Sequence, residues 1–334
     1  MRAYEITKFG IDELKIADRA EPVPGYGEVL VRVRAVSLNF RDLMVTRGQY
    51  NPKLKMPMVP CSDGAGEVTA VGPGVTRVKP GDRVCGIFMQ GWLSGDISEA
   101  AGRTAMGGAI DGMLAESVVL NQEGLVRIPD HLSFEEGATL PCAAVTAWNA
   151  LSAQGQIRAG DTVLTLGTGG VSVFALQFAV ASGARVITTS SSDEKLARTK
   201  SMGAWQGINY KTTPDWEERV RKLTGEGVDH VVEVGGAGTL MKSLRAVRTG
   251  GTISVIGVLT GGGSEVSPVP ILMKSVRLQG IYVGSRDMFE AMNRAIVAHG
   301  IKPVVDRVFA FEEAREAMHY MESGSHFGKI VIRI

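Results

Sequence analysis

The fold is decided by one stretch, Thr162-Val163-Leu164-Thr165-Leu166-Gly167-Thr168-Gly169-Gly170-Val171-Ser172. Its first five residues are apolar or β-branched and predict a buried strand. The glycines that follow predict a tight turn, and apolar residues at helical spacing after them predict a helix. A strand that passes through such a turn into a helix is typical of diphosphate binding, because the helix amides and dipole attract the anion. Close packing of helix on strand is the alternative reason for such a turn.

The residues around this stretch alternate between strands and helix-length amphipathic segments. Strands are predicted at 162–166, 185–189, 228–234 and 252–258. Strands that alternate with helices in this way form a parallel, doubly wound sheet. We therefore predict an α/β domain over residues 128–286 that binds a dinucleotide.

The first 127 residues have a different texture, with short β segments separated by glycine and proline. Residues 28–35 alternate between apolar and polar side chains, as a half-buried strand does. After residue 287 two helices are predicted, at 289–298 and 312–322, and then a strand at 329–334. We assign this tail to the first domain, so the predicted domains are 1–127 with 287–334, and 128–286.

The composition indicates a small-molecule partner. The 334 residues contain 36 Lys and Arg against 35 Asp and Glu, a net charge of +1 that gives no electrostatic reason to bind nucleic acid or a membrane surface. The three cysteines, Cys61, Cys85 and Cys142, are odd in number and far apart, which fits a reducing cytoplasm. No apolar run is long enough to cross a bilayer. We expect a cytoplasmic homodimer.

The end of the second strand predicts which nicotinamide cofactor is bound. An NAD-binding domain places an acidic residue there for the ribose hydroxyls, whereas this chain has Ser190. The residues able to donate to a 2′-phosphate are Ser190, Ser191, Lys195 and Tyr210. We therefore favour NADPH over NADH, although Asp193 and Glu194 lie nearby. In the alternative interpretation, Ser191 and Glu194 form a capping box and Lys195 is solvated.

Further motifs resemble a known family over nearly the whole chain. They are Asp63-Gly64-Ala65-Gly66-Glu67-Val68, Gly81-Asp82-Arg83-Val84, Gly169-Gly170-Val171 and Ile208-Asn209-Tyr210. In their order and spacing the chain resembles the medium-chain dehydrogenase/reductase superfamily, in its zinc-free, quinone oxidoreductase-like or alcohol dehydrogenase-like branch. The resemblance implies a GroES-like, β-rich catalytic domain and a Rossmann cofactor domain.

The resemblance also predicts that no catalytic zinc is bound. The family's alcohol dehydrogenases hold zinc with Cys, His and a second Cys, and the matching positions here are Asn39, Ser62 and Cys142. One thiolate does not make the usual tetrahedral zinc site, and residues 88–113 lack the cysteines of the structural zinc lobe. A rearranged site of Cys61, Asp63 and Cys142 is an alternative, and Cys142 can equally be a buried small hydrophobe.

The resemblance implies three catalytic residues. Tyr50 resembles the tyrosine that the family's enoyl reductases place at the nicotinamide, and it would donate a proton opposite the hydride. Asn39 resembles the asparagine that zinc-free members place against the nicotinamide ribose, and Asp42 would orient Asn39 or Arg41. The alternatives are a loop-anchoring aromatic for Tyr50, a turn residue for Asn39 and a helix N-terminal carboxylate for Asp42.

The resemblance assigns the other cofactor contacts to strand ends and to the glycine-rich turn. Lys329 would close over the phosphates, unless it is a surface charge. The full set of predicted cofactor residues is Asn39, Thr146, Gly167, Gly169, Gly170, Val171, Ser190, Ser191, Lys195, Tyr210, Gly235, Gly257, Val258, Tyr282, Val283 and Lys329.

Three functions follow from these residues. The first is an NADPH-dependent, zinc-free reductase of quinones or α,β-unsaturated carbonyls, since a site without a Lewis acid needs an activated acceptor. The second is a zinc-free alcohol or aldehyde dehydrogenase. The third is a non-catalytic NADPH-binding protein, as crystallin-like members of the family suggest.

Overall fold

The computed structural model describes residues 1–261, 263 and 266–334. The chain forms two compact units, Met1–Val145 with Val283–Ile334, and Thr146–Tyr282. The predicted boundaries at residues 127 and 287 differ from these. The first unit extends further because the helix at residues 134–138 packs on strands of that unit.

The strands are β1 (Arg2–Glu5), β2 (Lys15–Asp18), β3 (Glu28–Ser37), β4 (Asp63–Val71), β5 (Arg83–Gly86), β6 (Ser117–Asn121), β7 (Leu125–Arg127), β8 (Thr162–Leu166), β9 (Arg185–Ser190), β10 (Gln206–Asn209), β11 (Val228–Glu233), β12 (Val247–Val255), β13 (Arg277–Gly280), β14 (Val305–Ala310) and β15 (Lys329–Arg333). The α-helices are α1 (Phe40–Thr46), α2 (Glu99–Gly102), α3 (Phe134–Ala138), α4 (Val145–Trp148), α5 (Gly170–Ala181), α6 (Asp193–Ser201), α7 (Trp216–Thr224), α8 (Leu240–Ala246), α9 (Val269–Met273), α10 (Arg286–His299) and α11 (Ala314–Glu322). Short 3₁₀ or π turns lie at Ile11–Glu13, Gln122–Gly124, Leu140–Ala144, Asn149–Ala153 and Phe311–Glu313.

The second unit contains a six-stranded sheet in the order β10-β9-β8-β11-β12-β13. Every pairing in it is parallel. Chain order therefore reverses between β8 and β11, which is the Rossmann arrangement and the place where open α/β sheets bind ligands. The prediction of a doubly wound sheet is confirmed. The predicted strand at 252–258 differs in its limits, because β12 begins at Val247 and ends at Val255.

The first unit is built around β3, which pairs antiparallel with β4, β6 and β15. The alternate residues Val29, Val31, Val33 and Ala35 are buried, as the period-two pattern predicts. Strand β4 lies so close to β3 that a Cβ at Gly66 would be 2.3 Å from the Arg32 carbonyl oxygen. The C-terminal strand β15 pairs with β3, so the tail returns to the first unit as predicted.

Across the described residues, no helix is both long enough and apolar enough to span a bilayer.

Candidate functional site

The turn between β8 and α5 has the geometry that a diphosphate needs. Gly167 has φ of +75°, a conformation that favours glycine. Ser172 replaces the third glycine of the motif, and its hydroxyl donates to the Leu166 carbonyl oxygen at 2.7 Å. The serine therefore ties the helix to the end of β8, and the substitution is compatible with the turn.

Open space lies in front of this turn. A Cβ added at Gly167 or Gly169 would meet no protein atom within 4 Å. Gly169 is the N-cap of α5 and supplies no side chain to the first amides of the helix, those of Gly170 and Val171. These N–H groups and the helix dipole are thus available to an anion at a helix of 12 residues.

The end of β9 differs in one respect from the predicted arrangement. Helix α6 is capped by Ser192, whose hydroxyl accepts from the Lys195 amide at 3.3 Å. The alternative interpretation, a capping box of Ser191 and Glu194, is therefore wrong, because the N-cap is Ser192, the next residue. Ser190 is buried, and its hydroxyl accepts from the Ser192 amide at 3.3 Å. Ser191 and the side chain of Lys195 are half-buried.

The strand β10 brings Tyr210 to the same edge. The Tyr210 amide donates to the Ser190 carbonyl oxygen at 3.0 Å, and the tyrosine side chain is exposed. The nearby carboxylate of Asp193 accepts from the side-chain Nδ2 of Asn209 at 2.8 Å. The main chains of Ser190 and Tyr210 therefore lie next to each other at this edge.

The loop after β11 is organised by Glu233, which the sequence analysis did not single out. The carboxylate is fully buried and accepts from the Gly235 and Gly236 amides at 2.8 and 3.0 Å. It also accepts from the hydroxyls of Thr239, at 2.6 Å, and Ser243. The predicted cofactor residue Gly235 is thus fixed by a buried anion. The only sequence signal was an acidic residue at the end of an apolar strand.

The remaining predicted cofactor residues of this region lie at strand or helix ends. Gly257 follows β12 and packs so closely that a Cβ would be 2.4 Å from the Val234 carbonyl oxygen. Val258 and Tyr282 are exposed, whereas Thr146 in α4 is buried. Val283 belongs to the first unit and has φ of +58°, in the left-handed region.

In the first unit, Asn39, Asp42 and Lys329 lie together where β3 ends and α1 begins. Asn39 is the N-cap of α1, and its amide donates to Asp42 Oδ2 at 2.8 Å. The Lys329 ammonium donates to the Leu38 carbonyl oxygen at 2.5 Å and to Asn39 Oδ1 at 2.6 Å. Lys329 is only 3% exposed, so the alternative that it is a surface charge was wrong.

Asp63, at the start of β4, is a second buried carboxylate in this cluster. The Ser62 hydroxyl donates to its Oδ1 at 2.7 Å, and the Cys142 amide donates to its Oδ2 at 2.9 Å. Burial raises the pKa of Asp63, whereas the charge of Lys329 and hydrogen bonds from Ser62 and Cys142 lower it, with a net rise. The Asn39 side chain accepts from Lys329 through Oδ1, and its buried Nδ2 group has no hydrogen-bond partner among the described atoms.

Asp42 is fully buried, like Asp63, but fewer hydrogen-bond donors are directed at its carboxylate. Its pKa is raised to about 6, chiefly by burial and also by the charge of Asp63, while Arg41, the Asn39 amide and Lys329 oppose the rise. The Arg41 guanidinium lies 4.0 Å from Asp42 Oδ1. Asp42 thus forms a capping box with the main-chain amide of Asn39, which is the contact of a helix N-terminal carboxylate, the alternative interpretation.

Tyr50 is held by Arg41, a residue that the sequence analysis mentioned only as a partner of Asp42. The guanidinium carbon lies 4.9 Å from the centre of the Tyr50 ring and 4.8 Å from that of Phe88. Arg41 also donates to the Met106 carbonyl oxygen at 2.8 Å. The tyrosine side chain is 41% exposed. It is therefore both anchored by its ring and accessible.

The residues at the family's zinc positions do not supply a tetrahedral nitrogen and sulfur site. Asn39 and Ser62 replace two ligands, and the Asn39 amide oxygen already accepts from Lys329. Within the described ranges, no three His, Cys, Asp or Glu side chains are grouped so that they could hold a metal ion. The rearranged site of Cys61, Asp63 and Cys142 is therefore not formed there.

Comparisons with known proteins agree with this architecture. Residues 25–130 match the model of the alcohol dehydrogenase GroES-like domain, and residues 170–298 match that of the zinc-binding dehydrogenases. The chain is 46% identical to a zinc-type alcohol dehydrogenase-like protein of Schizosaccharomyces pombe, over 97% of this chain and 96% of that protein. An NAD-dependent alcohol dehydrogenase structure is 36% identical, with a TM-score of 0.92 and full coverage of both chains.

Two mycobacterial structures are also similar, each 29% identical with full coverage of both chains. One is a protein complexed with NADPH, with a TM-score of 0.85, and the other is a quinone oxidoreductase, with a TM-score of 0.82. Fold, turn and relatives together define an NAD(P)H-dependent oxidoreductase. The chain belongs to the medium-chain dehydrogenase/reductase superfamily.

We predict that Gly169→Ala weakens cofactor binding without unfolding the protein. Gly169 has φ of −77°, which alanine adopts, and its methyl group would enter the open space where a diphosphate approaches. Fluorescence titration should give a Kd at least roughly 10-fold higher, with Tm unchanged within about 2 °C. Gly102→Ala, whose Cβ also meets nothing, is the control. An unchanged Kd for Gly169→Ala would place the diphosphate elsewhere.

We predict that Asp42→Asn stabilises the protein more at pH 8 than at pH 5. The folded pKa of about 6 lies above the ordinary 3.8, so ionised Asp42 costs stability as pH rises through this window. Asparagine keeps an acceptor for the Asn39 amide and avoids this cost. Denaturant unfolding should show a gain about 1–2 kcal/mol larger at pH 8. The exposed Asp96→Asn should show no such pH dependence, and equal gains at both pH values for Asp42→Asn contradict the prediction.

Proposed function

We propose that this protein is an NADPH-dependent, zinc-free reductase of quinones or α,β-unsaturated carbonyls. The observation that carries the proposal is the hydrogen bond between Lys329 and Asn39 at a position where zinc-dependent relatives have a cysteine ligand. A buried ammonium on that side chain disfavours a second cation there. The similar protein of Schizosaccharomyces pombe is named as a zinc-type alcohol dehydrogenase-like protein, so the first measurement is a metal analysis of the purified protein.

The substrate class follows from this chemistry. Without a metal to polarise an alcohol or a simple carbonyl, the acceptor needs its own conjugation to stabilise the charge that hydride transfer creates. Quinones and enones have this property. NADPH would supply the hydride, and Tyr50 would donate the proton to an enone; its ring lies against the Arg41 guanidinium and its side chain is 41% exposed, which supports this role.

A zinc-free alcohol or aldehyde dehydrogenase is the second candidate, favoured by the similarity to an NAD-dependent alcohol dehydrogenase. A non-catalytic NADPH-binding protein is the third. An assay of NADPH oxidation over a panel of quinones, enones and aldehydes separates the three. Turnover of aldehydes alone supports the second, and binding without turnover supports the third.

We further propose that the chain is a cytoplasmic homodimer without nucleic-acid partners. Its three cysteines are free thiols, as a reducing compartment favours. Strand β13 is an edge of the parallel sheet, and the adjoining helix α9 exposes Leu272 and Met273. A second copy that pairs at this edge would cover both.

Sedimentation should give twice the chain mass of 35.5 kDa, and Met273→Lys should shift the population towards the monomer. A monomeric wild type contradicts the proposal.

We predict a lower Michaelis constant for NADPH than for NADH. Lys195, one turn into α6, would pair with the 2′-phosphate beside Ser190 and Ser191. Lys195→Ala should narrow the preference by roughly 10- to 100-fold, the size of one charge-assisted contact of about 1.5–3 kcal/mol. Lys200→Ala, at an exposed site on the same helix, is the matched control. Equal constants in the wild type would show that this edge does not recognise the phosphate.

We predict that Tyr50→Phe slows the reduction of an enone by roughly 10- to 10⁴-fold while cofactor affinity stays the same. The phenylalanine ring keeps its stacking on Arg41, and the hydroxyl group is removed. A quinone should be affected less, because its reduced oxygens take protons from water. Tyr26→Phe, at an exposed tyrosine, is the control. Enone turnover within about twofold of the wild type would remove Tyr50 from proton transfer.

A further inference from the structure

Lys329 is an unusual lysine because its ammonium group is buried. Its Nζ donates to the Leu38 carbonyl oxygen and to Asn39 Oδ1, and the residue is 3% exposed. Lysine is rarely buried to this extent unless an anion balances its charge. Neither of its two acceptors is charged, so the balancing charge lies beyond them.

The balancing charge is that of the fully buried Asp63 carboxylate, on whose pKa the charge of Lys329 is the first of the influences that oppose burial. The second buried carboxylate, Asp42, has the Arg41 guanidinium 4.0 Å from its Oδ1, and Lys329 acts on it less strongly. Asn39 accepts from the Lys329 ammonium through Oδ1, whereas its buried Nδ2 group has no hydrogen-bond partner among the described atoms. Lysine, amide and carboxylate thus form one buried polar cluster, in which Lys329 acts on Asp63 through its charge.

This polar cluster lies at the positions that the family resemblance matches to the zinc ligands of relatives. Asn39 is at the first position, and Ser62, at the second, donates to Asp63. The third is Cys142, whose main-chain amide donates to Asp63. Burial and the charge of Asp63 raise the pKa of its thiol, and the charge of Lys329 opposes this rise. The ammonium therefore supplies a positive charge at this location, with the Arg41 guanidinium on the side of Asp42.

We propose that Lys329 replaces the metal ion of the zinc-dependent relatives: it neutralises Asp63, orients Asn39, and closes the former ligand positions to a divalent cation. This inference rests on the zinc-free assignment of the proposed function. Lys329 is a positioning residue in this account. Its ammonium donates to Asn39 Oδ1 and to the Leu38 carbonyl oxygen, so the Asn39 oxygen is engaged and its Nδ2 group is the part without a hydrogen-bond partner among the described atoms.

A double-mutant cycle tests the charge balance. Lys329→Met removes the ammonium at similar size and leaves a buried carboxylate uncompensated, so Tm should fall by roughly 5–15 °C. Asp63→Asn keeps an acceptor for the Cys142 amide and a donor that can face the Ser62 hydroxyl. The combined variant should lose clearly less than the sum of the two single losses, by at least about 5 °C.

Lys274→Met is the matched control for this cycle. Lys274 is also partly buried, but it belongs to the other compact unit and donates to main-chain carbonyl oxygens such as that of Leu244. Its loss should add to that of Asp63→Asn within about 2 °C. Additive losses for Lys329→Met and Asp63→Asn would overturn the proposed charge balance.

A metal-binding experiment tests the exclusion of zinc. Asn39→Cys with Ser62→His restores the ligand types of the zinc-dependent relatives beside Cys142. With Lys329 kept, this variant should bind Zn²⁺ or Co²⁺ weakly. Adding Lys329→Met should tighten the Kd at least roughly 10-fold and give the visible absorption of tetrahedral cobalt thiolate. Equal affinity with and without the lysine would overturn the exclusion.

Metal analysis of the unaltered protein completes the test and needs no variant to fold. Well under one zinc per chain after dialysis against a chelator is expected. Stoichiometric, chelator-resistant zinc would overturn both the inference and the zinc-free assignment. A metal-free protein that reduces no enone or quinone, yet shows the coupling of Lys329 to Asp63, would instead reject the proposed substrate class alone.

Discussion

The first unit depends on the burial of one carboxylate, that of Asp63. A fully buried anion must be hydrogen-bonded and balanced by a positive charge, or folding would cost several kcal/mol more. Its donors are Ser62, beside it, and Cys142, after α3, and the charge of Lys329 on the C-terminal strand acts on it as well. Asp63 thus interacts with two distant segments of the first unit, in addition to the packing of α3 and the pairing of β15 with β3.

The second unit uses a buried carboxylate in a different way. All four donors to Glu233 lie within ten residues of it along the chain, namely the amides of Gly235 and Gly236 and the hydroxyls of Thr239 and Ser243. Such a local network fixes the shape of one loop. The network of Asp63 instead fixes the relative positions of several elements, so a change at Lys329 acts on a larger part of its unit than a change at Thr239.

The sequence predicted those features that depend on local periodicity. The glycine-rich turn, the alternating buried residues of β3 and the parallel sheet follow from spacings within about 20 residues, and all three are present in the structure. The cap of α6 was wrong by one residue because three consecutive serines compete for it and only the backbone geometry selects Ser192. Glu233 was missed because a carboxylate at a strand end is usually solvated.

Contacts between residues far apart in sequence could not be predicted in this way. Lys329 and Asn39 are separated by 290 positions, and nothing in the local pattern around the lysine distinguishes a buried ammonium from a surface charge. The same holds for Arg41, whose partner Phe88 lies in another segment. The resemblance to a family placed Asn39 and Lys329 near a cofactor, but it did not indicate that they touch.

The nature of the buried cation limits the chemistry that the first unit can support. A catalytic zinc ion keeps an open coordination position and draws a substrate oxygen directly to its charge. The Lys329 ammonium already donates to a main-chain carbonyl oxygen and to Asn39, so most of its capacity is used within the protein. Its charge is also balanced by the buried Asp63 carboxylate, which reduces the field available to a developing alkoxide. A substrate that delocalises the incoming charge over its own conjugated system has less need of such a field, and this is the physical reason for favouring enones and quinones over simple aldehydes.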